Sequence, residues 1–302
     1  MRTKTYLFAL MTMALTLGSC SDNENGIGGE TSKYITVSTS IGNMTRVATD
    51  EKGGQTFEEG DEISVYAWTG DATVAPETRE RVVNNAINKL TNGSWVSTPQ
   101  MLWKNNRDKH YFIGVYPISA SAISDLSAGE YAFDETKQVE SDLLVAVNKD
   151  GLSYNVDEQQ PVPLTFTHVM AKLAVNLTYK NQWGGIPTVE KVVVGNAAKE
   201  ATINYLTKVV TPSTTAKEDF SLPEITENTK YVSVIIPQED VKQLTIVIGG
   251  KNFVYDNGTP FKLESGKITT VNLEVGRDEI KLGDVKITNW EDGSTFGGEA
   301  LN

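Results

Sequence analysis

The chain has 302 residues, a formal net charge of −12 at pH 7 and 39% hydrophobic residues. This composition indicates a folded, turn-rich protein with room for two domains of ordinary size. An acidic chain gains nothing from phosphate contacts, which disfavours nucleic acid as a partner. The single cysteine excludes an internal disulfide within the chain.

The first twenty residues have the layout of a secretory signal. A basic start is followed by an apolar run from Tyr6 to Leu17 and then by Gly18, Ser19 and Cys20. The run is shorter than the ~20 residues that cross a bilayer, and it fits the apolar region of a signal peptide. A thiol directly after small residues resembles the lipobox of bacterial lipoproteins, where the cysteine is acylated.

We therefore predict a signal peptide over residues 1–19 and a lipid anchor on Cys20. Two or more acyl chains give stable membrane attachment, whereas one chain is marginal. The alternative is an ordinary signal peptide in which Cys20 has no role. Residues 20–33, rich in Gly, Asn and Ser, are predicted to form a flexible tether.

Two strands are predicted early in the folded part of the chain. Tyr34 to Ile41 is rich in β-branched residues, and Ile63 to Trp68 alternates with period two. The polar loop between them contains Arg46. The next segment, Glu77 to Leu90, fits a helical face or strands. We favour strands, because its asparagines are poor helix formers and Asn92-Gly93 is a strong hairpin signal.

Aromatic residues are concentrated in the strands that follow. These strands are predicted at Trp95-Val96, Met101–Trp103, Tyr111–Pro117 and Leu143–Val147. Packing in a core is the favoured interpretation of the aromatics, and a sugar-stacking platform is the alternative. Asn148 to Pro163 is polar and is predicted to be a linker. In Val162 to Tyr179 the alternation is broken at 168–172, which predicts a bulge or a short helical turn.

The remainder of the chain reads as strands separated by turns. Its strands are predicted at Val189–Val194, Ala201–Tyr205, Tyr231–Ile236, Leu244–Ile248, Lys251–Tyr255, Ile268–Val275 and Ile280–Trp290. Short strands at regular spacing indicate β-sandwiches. We therefore predict an all-β protein with an N-terminal sandwich over 34–155 and a C-terminal sandwich over 156–302.

Residues that could support catalysis or bind a metal are few. With two histidines, His110 and His168, far apart in the sequence, no transition-metal site of the usual ligand type is predicted, and both are expected to be solvated or structural. Fingerprints of nucleotide-binding loops and of serine hydrolases are absent from the sequence. A calcium site or a pair of glycosidase carboxylates is left open by the many acidic residues. The chain is predicted not to be an enzyme, and no cofactor is predicted.

Several stretches together resemble the fimbrillin family, the lipoprotein pilins of Bacteroides-type bacteria and their Mfa-like relatives. They are Leu17–Cys20, Ile41–Arg46, Phe57–Ala67, the run from Gly93 through Trp103 to Tyr116-Pro117, Leu164–Leu173 and Leu263–Lys267. No single stretch is specific, but their order over residues 1–290 is.

The resemblance implies two transthyretin-like β-sandwich domains in tandem and export as a lipoprotein to the outer membrane. In such pilins a trypsin-like protease cuts after an arginine, and the first strand is then replaced by a strand of the next subunit. Arg46 matches that arginine by position. The alternative is that Arg46 is a loop residue and the first strand stays in place.

The resemblance also implies a donor segment near the C-terminus. The candidate is Asp284 to Trp290, in which Val285 and Ile287 lie on one side of a strand and Trp290 on the other. The same segment could instead be a strand of its own domain.

The predicted function is that of a pilin-like subunit of a surface fimbria with a role in adhesion. Its partners are other pilin subunits, the outer membrane through Cys20, and a host or bacterial surface ligand. The alternative is a surface lipoprotein that binds carbohydrate or protein and never polymerises, and a hydrolase is the least favoured reading.

Overall fold

The computed structural model of the chain describes residues 33–42, 56–119, 121–155, 160–256 and 258–290. Nearly all regular structure there is β-strand, which confirms the all-β prediction. The strands before residue 170 are β1 (Val37–Ile41), β2 (Glu62–Thr69), β3 (Arg81–Thr91), β4 (Ser94–Thr98), β5 (His110–Tyr116), β6 (Gly129–Ala132), β7 (Leu144–Leu152) and β8 (Val162–His168).

The strands after residue 170 form the rest of the fold. They are β9 (Ala171–Tyr179), β10 (Val189–Ala198), β11 (Glu200–Asn204), β12 (Val209–Pro212), β13 (Lys217–Ser221), β14 (Glu224–Thr226), β15 (Lys230–Ile235), β16 (Gln243–Ile248), β17 (Lys251–Asp256), β18 (Lys267–Val275) and β19 (Ile280–Asn289). Short 3-10 turns occur at Thr78–Glu80 and Asn181–Trp183. No helix in the described ranges is long and apolar enough to span a bilayer.

The strands form four sheets. A seven-stranded sheet has the order β1-β8-β7-β5-β2-β3-β4, and a five-stranded sheet has the order β14-β15-β9-β18-β19. The other two sheets have the orders β13-β10-β16-β17 and β12-β11-β6. Several packed sheets are consistent with the predicted sandwiches, while the transthyretin-like topology stays a prediction.

The seven-stranded sheet curls so that its two edges meet. Near the start of β1, the backbone N–H of Ile35 donates to the carbonyl of Met101 at 2.9 Å, and that of Trp103 donates to Lys33 at 3.1 Å. Further along, the Trp95 side chain on β4 bonds to Thr39 on β1. The sheet is therefore close to a closed barrel, although β1 and β4 are its terminal strands.

Two buried clusters fill the fold. The first lies inside the curl of the seven-stranded sheet and includes Ile63, Val65 and Phe112. The second includes Tyr66 and Trp68 from the opposite face of β2, together with side chains of the later sheets. The central strand β2 is thus buried on both faces, which explains why its polar Ser64 is fully buried as well.

Local turn chemistry agrees with the sequence. The segment Glu77 to Leu90, for which the sequence allows a helix or strands, contains most of strand β3. Asn92 (φ 51°) and Gly93 (φ 73°) make the hairpin turn from β3 to β4. Gly249 and Gly250 also have positive φ and join β16 to β17. These left-handed conformations favour Gly and Asn, which is why both turns could be recognised.

Two of the predicted local features are wrong. The linker predicted at Asn148–Pro163 is occupied at both ends by strands, because β7 continues to Leu152 and β8 begins at Val162. Met101–Trp103 forms no strand and makes an isolated bridge from Leu102 to Tyr34. Its backbone groups are used to close the curl and do not extend a hairpin.

The bulge or turn predicted at 168–172 is a change of sheet. β8 ends at His168 in the seven-stranded sheet, and β9 begins at Ala171 in the five-stranded sheet. Between them, Val169 donates its N–H to Leu143, and Met170 accepts from Gly266. The buried backbone is satisfied in this way without continuing either ladder.

The sheets do not change at residue 155. β8, which the sequence assigns to the second domain, belongs to the seven-stranded sheet, and β6 of the first half pairs with β11 of the second. The division of the chain into domains at 34–155 and 156–302 stays a prediction.

Candidate functional site

The first strand occupies an edge of the seven-stranded sheet. Along Val37–Ile41 it pairs with β8 in parallel, from Val37 opposite Val162 to Ile41 opposite Phe166. The N–H of Gly42 continues this ladder by donating to Phe166 at 2.8 Å. An edge strand can leave a sheet without separating any other pair of strands, so this position is compatible with replacement.

One face of the first strand is buried and the other is exposed. Ile35 and Val37 are 1% and 6% exposed and belong to the cluster inside the curl. Thr36, Ser38 and Ser40 are exposed on the other face. Alternation of this kind presents apolar side chains to the core at every second residue, so removal of this strand would leave an apolar slot.

A groove with a volume of about 710 Å³ runs along β1. Its walls are β1 on one side and the start of β4 on the other, with Phe57 between them. The Phe57 ring makes edge-to-face contacts with Trp95, Tyr116 and Phe166, with centroids 5.1 to 5.3 Å apart. These aromatics pack against the core, the interpretation favoured from the sequence.

The groove contains a polar contact among its apolar residues. Trp95, half-buried on β4, donates its Nε1–H to Thr39 Oγ1 at 3.0 Å. Thr39 faces the same side of β1 as Ile35 and Val37, four and two residues before it. The inward-facing side chains of the first strand are therefore the apolar Ile35 and Val37, the hydroxyl of Thr39 and the half-buried Ile41.

The last strand occupies an edge of the five-stranded sheet. β19 pairs with β18 at nine positions, from Lys267 opposite Asn289 to Val275 opposite Ile280. The predicted donor residues Val285 and Ile287 are 39% and 37% exposed. This strand is long but contributes little to the core along its length.

The end of β19 is held by a buried tryptophan. The Trp290 ring, 7% exposed, stacks on His168 at 4.1 Å, and Lys172 Nζ lies 4.1 Å from its centroid. His168 Nδ1 lies 2.8 Å from Asp142 Oδ1. Burial lowers the pKa of Lys172 to about 8, against the opposing effect of the Asp142 charge. Cation–π contact is worth more when desolvated, so this cluster fixes Trp290.

The sequence-predicted residues have different outcomes. Cys20 and Arg46 lie outside the described residues. Val285 and Ile287 lie on β19 of the five-stranded sheet, and Trp290 directly follows that strand. This sheet is separate from the sheet of β1. Sequence reasoning missed Phe57 and Trp95 as groove residues, and the only signal for Trp95 was its place after the Asn-Gly turn.

Both histidines are structural and neither is solvated. His110 is fully buried and accepts at Nε2 from the Lys104 N–H at 3.1 Å, which leaves Nδ1–H to donate to the Asp108 carbonyl. Burial lowers its pKa. Among the described residues, no group of three or more His, Cys, Asp or Glu side chains is arranged to hold a metal ion.

Comparison with known protein families and solved structures shows which proteins this chain is similar to. A family profile described as fimbrillin-like matches residues 45–290. Because this is most of the chain, the chain belongs to the fimbrillin-like family, which confirms the family predicted from the sequence. The search among curated protein sequences gives no match.

Solved structures share the fold. A candidate cell adhesion protein from Bacteroides uniformis has a TM-score of 0.63 and 19% identity, covering 86% of this chain and 100% of that chain. One from Bacteroides ovatus has a TM-score of 0.63 and 17% identity, covering 86% and 99%. A fimbrial protein from Bacteroides vulgatus has a TM-score of 0.53 and 12% identity, covering 85% and 99%.

Family membership sets the class of function. It identifies a pilin-like protein of a cell-surface appendage that associates with other fimbrial subunits. It also confirms that the chain is a structural protein and not an enzyme.

Proposed function

We propose that this chain is a fimbrial subunit, exported as an outer-membrane lipoprotein, whose first strand is released after cleavage at Arg46 and replaced by a strand of a neighbouring subunit. The observation that carries the proposal is the state of β1, an edge strand with one buried face. Strand addition to an open edge combines backbone pairing with side-chain pockets.

The apolar slot under the first strand favours replacement of that strand over its simple removal. Ile35 and Val37 are almost fully buried, and burial of a large aliphatic side chain is worth ~1.5–3 kcal/mol. A subunit that lost this strand would expose that apolar surface and the unpaired edge of β8. An incoming strand with inward apolar residues restores both interactions. Retention of β1 until after export keeps subunits from polymerising early.

Limited proteolysis of the protein made without residues 1–19 tests the cleavage. We expect a low dose of trypsin to cut after Arg46, identified by intact mass, and the cut protein to form ladders on a gel run without boiling. The matched control is Arg46→Gln, which should resist that cut and stay monomeric. Monomers that persist after complete cleavage would contradict strand replacement.

The donor in this proposal is β19. Its Val285 and Ile287 are exposed at alternate positions, so they are available to a second subunit at little cost to their own sheet. Trp290 has to leave its buried site during donation. Deletion of residues 280–302 should abolish ladder formation while leaving cleavage after Arg46 intact. Ladders of normal length from the deleted protein would assign the donor elsewhere.

Membrane attachment is proposed through Cys20. The Cys20→Ser protein, expressed with its signal, should move from the membrane fraction to the soluble fraction, because the acylated thiol is gone. A variant that still pellets with membranes would contradict the lipid anchor. The alternative of a surface lipoprotein that binds carbohydrate or protein would appear as a monomer, intact or nicked, that retains a ligand on a glycan array.

A further inference from the structure

The groove beside β1 contains a polar group that an incoming strand has to satisfy. The Trp95 Nε1–H donates to Thr39 Oγ1 at 3.0 Å, across the junction of the two sheet edges. Thr39 leaves with β1 when that strand is replaced. The indole N–H then keeps its place on β4, beside Phe57 at 5.3 Å between ring centroids.

We propose that Trp95 sets the register and direction of the incoming strand by requiring a hydrogen-bond acceptor at its third inward position. This inference rests on the proposed strand replacement and specifies its partner. A donor that the incoming strand covers without offering an acceptor is penalised, whereas two apolar groups in contact are not. One polar residue in an apolar row can therefore fix register, as it does in coiled coils.

The last strand of a second copy has the required pattern. The residues Val285, Ile287 and Asn289 share one face of β19, since their partners on β18 alternate in the same way. Placed over Ile35, Val37 and Thr39, they supply two apolar side chains and then an amide oxygen opposite Trp95.

Other alignments fail at a defined position. A shift by two residues toward the start of β1 places Asn289 on Val37, which is 6% exposed, and Ile287 on Ile35. A shift the other way sets Ile287 against the indole N–H. Reversal of direction puts Asn289 at the Ile35 position, which is 1% exposed, or, with Asn289 kept opposite Trp95, puts Glu291 at the Val37 position, which is 6% exposed. One alignment remains, with β19 running parallel to β8, as β1 does.

The fourth inward position, that of Ile41, places the weakest requirement on the side chain of an incoming strand. Ile41 is only half-buried, and in this alignment Glu291 follows at that place in the sequence. The first three positions therefore decide the fit, and the hydrogen bond to Trp95 is the one among them that discriminates between polar and apolar residues.

Competition between peptides tests the inference. The full chain, cut after Arg46, is exchanged with a fluorescent peptide of residues 280–290 in urea below the unfolding midpoint, and anisotropy reports displacement. We expect the peptide with Asn289→Leu, of similar shape, to bind about tenfold more weakly, a difference of ~1.4 kcal/mol. On protein with Trp95→Phe, the two peptides should bind within about twofold of each other, as expected for a specific pair in a double-mutant cycle.

Each outcome separates the two proposals. A peptide of residues 33–42 serves as the reference occupant. If it and the 280–290 peptide bind, but Asn289→Leu has no effect or has the same effect on both proteins, Trp95 does not set the register and strand replacement still stands. If no peptide binds to the cut protein, including the reference, the proposed function fails and this inference fails with it.

Discussion

The first and last strands, β1 and β19, both lie at sheet edges, but different interactions hold them in place. β1 pairs at five positions and buries Val37, together with Ile35 just before it, in the core of the curled sheet. β19 pairs at nine positions, yet its side chains Leu282, Val285 and Ile287 remain more than a third exposed. One strand is attached by its inward face, and the other by backbone pairing and a terminal ring.

The difference assigns a role to each edge. Removal of β1 opens an apolar slot that favours a replacement, since exposed apolar surface and an unpaired edge are both unfavourable. Removal of β19 exposes less core surface and costs mainly its ladder and the Trp290 contacts. The first edge is suited to accept a strand and the second to provide one.

Truncation of the terminal ring should have the largest effect. We expect Trp290→Ala to lower the free energy of unfolding by about 4 kcal/mol, as for other buried aromatic residues, because its stacking on His168 and its contact with Lys172 are lost. Urea unfolding measures this change. Ile287→Ala on the same strand is the control, at about 1 kcal/mol or less for its exposed site. Equal losses would show that β19 is not held at its end.

Truncation of a side chain on the inward face of the first strand should have the second-largest effect. We expect Ile35→Ala to cost about 3 kcal/mol, because the site lies inside the curl and is poorly able to collapse. Thr36→Ala, one residue on and exposed, should change the free energy of unfolding by less than ~0.5 kcal/mol. Similar values for the two variants would contradict the one-sided burial of β1.

Alkaline pH should raise the free energy of unfolding through Lys172. The folded-state pKa of Lys172 is about 8, lowered by burial and by Lys230 and raised by Asp142, whereas an unfolded lysine titrates near ~10.4. Between these values the unfolded state binds more protons, so stability rises with pH. The gain from pH 7.5 to 9.5 should be about 2 kcal/mol by this linkage.

Replacement of the same lysine by a neutral side chain isolates this effect. Lys172→Met should reduce the rise in unfolding free energy and leave the part due to Lys208, whose pKa burial also lowers. Lys191→Met, at an exposed position of β10, should retain the whole rise. Urea titrations at intervals of half a pH unit measure both. Stability that falls over this range in the wild-type protein would contradict a depressed Lys172 pKa. Measurements stop at pH 9.5 because buried tyrosines such as Tyr131 and Tyr205 have raised pKa values and oppose the trend at higher pH.

Sequence patterns were sufficient where local chemistry determines the structure, and insufficient at half of the sheet edges. The Asn92-Gly93 hairpin and the alternating strands were predicted from their own residues. The missed strands β6, β12, β13 and β14 are all edge strands of three to five residues. Edge strands are exposed on much of their surface and therefore lack a strong apolar period.

The candidate site was predictable only in part for a similar reason. Its first strand has a local β-branched pattern and could be placed before Arg46. The contact of Trp95 with Thr39 joins residues 56 positions apart and depends on closure of a seven-stranded sheet. The change of sheet after His168 likewise depends on partners far along the chain. No local pattern encodes such contacts.

The smallest expected effect compares the two edges by one substitution. Val37 is 6% exposed and Val285 is 39% exposed, and both lie on strands, where Thr has a favourable propensity. Val37→Thr places a hydroxyl in the slot and should cost about 1–2 kcal/mol. Val285→Thr should change the free energy of unfolding by less than ~0.5 kcal/mol. If the two costs are equal, the edges are equally embedded, and the assignment of β1 as the accepting edge loses its physical basis.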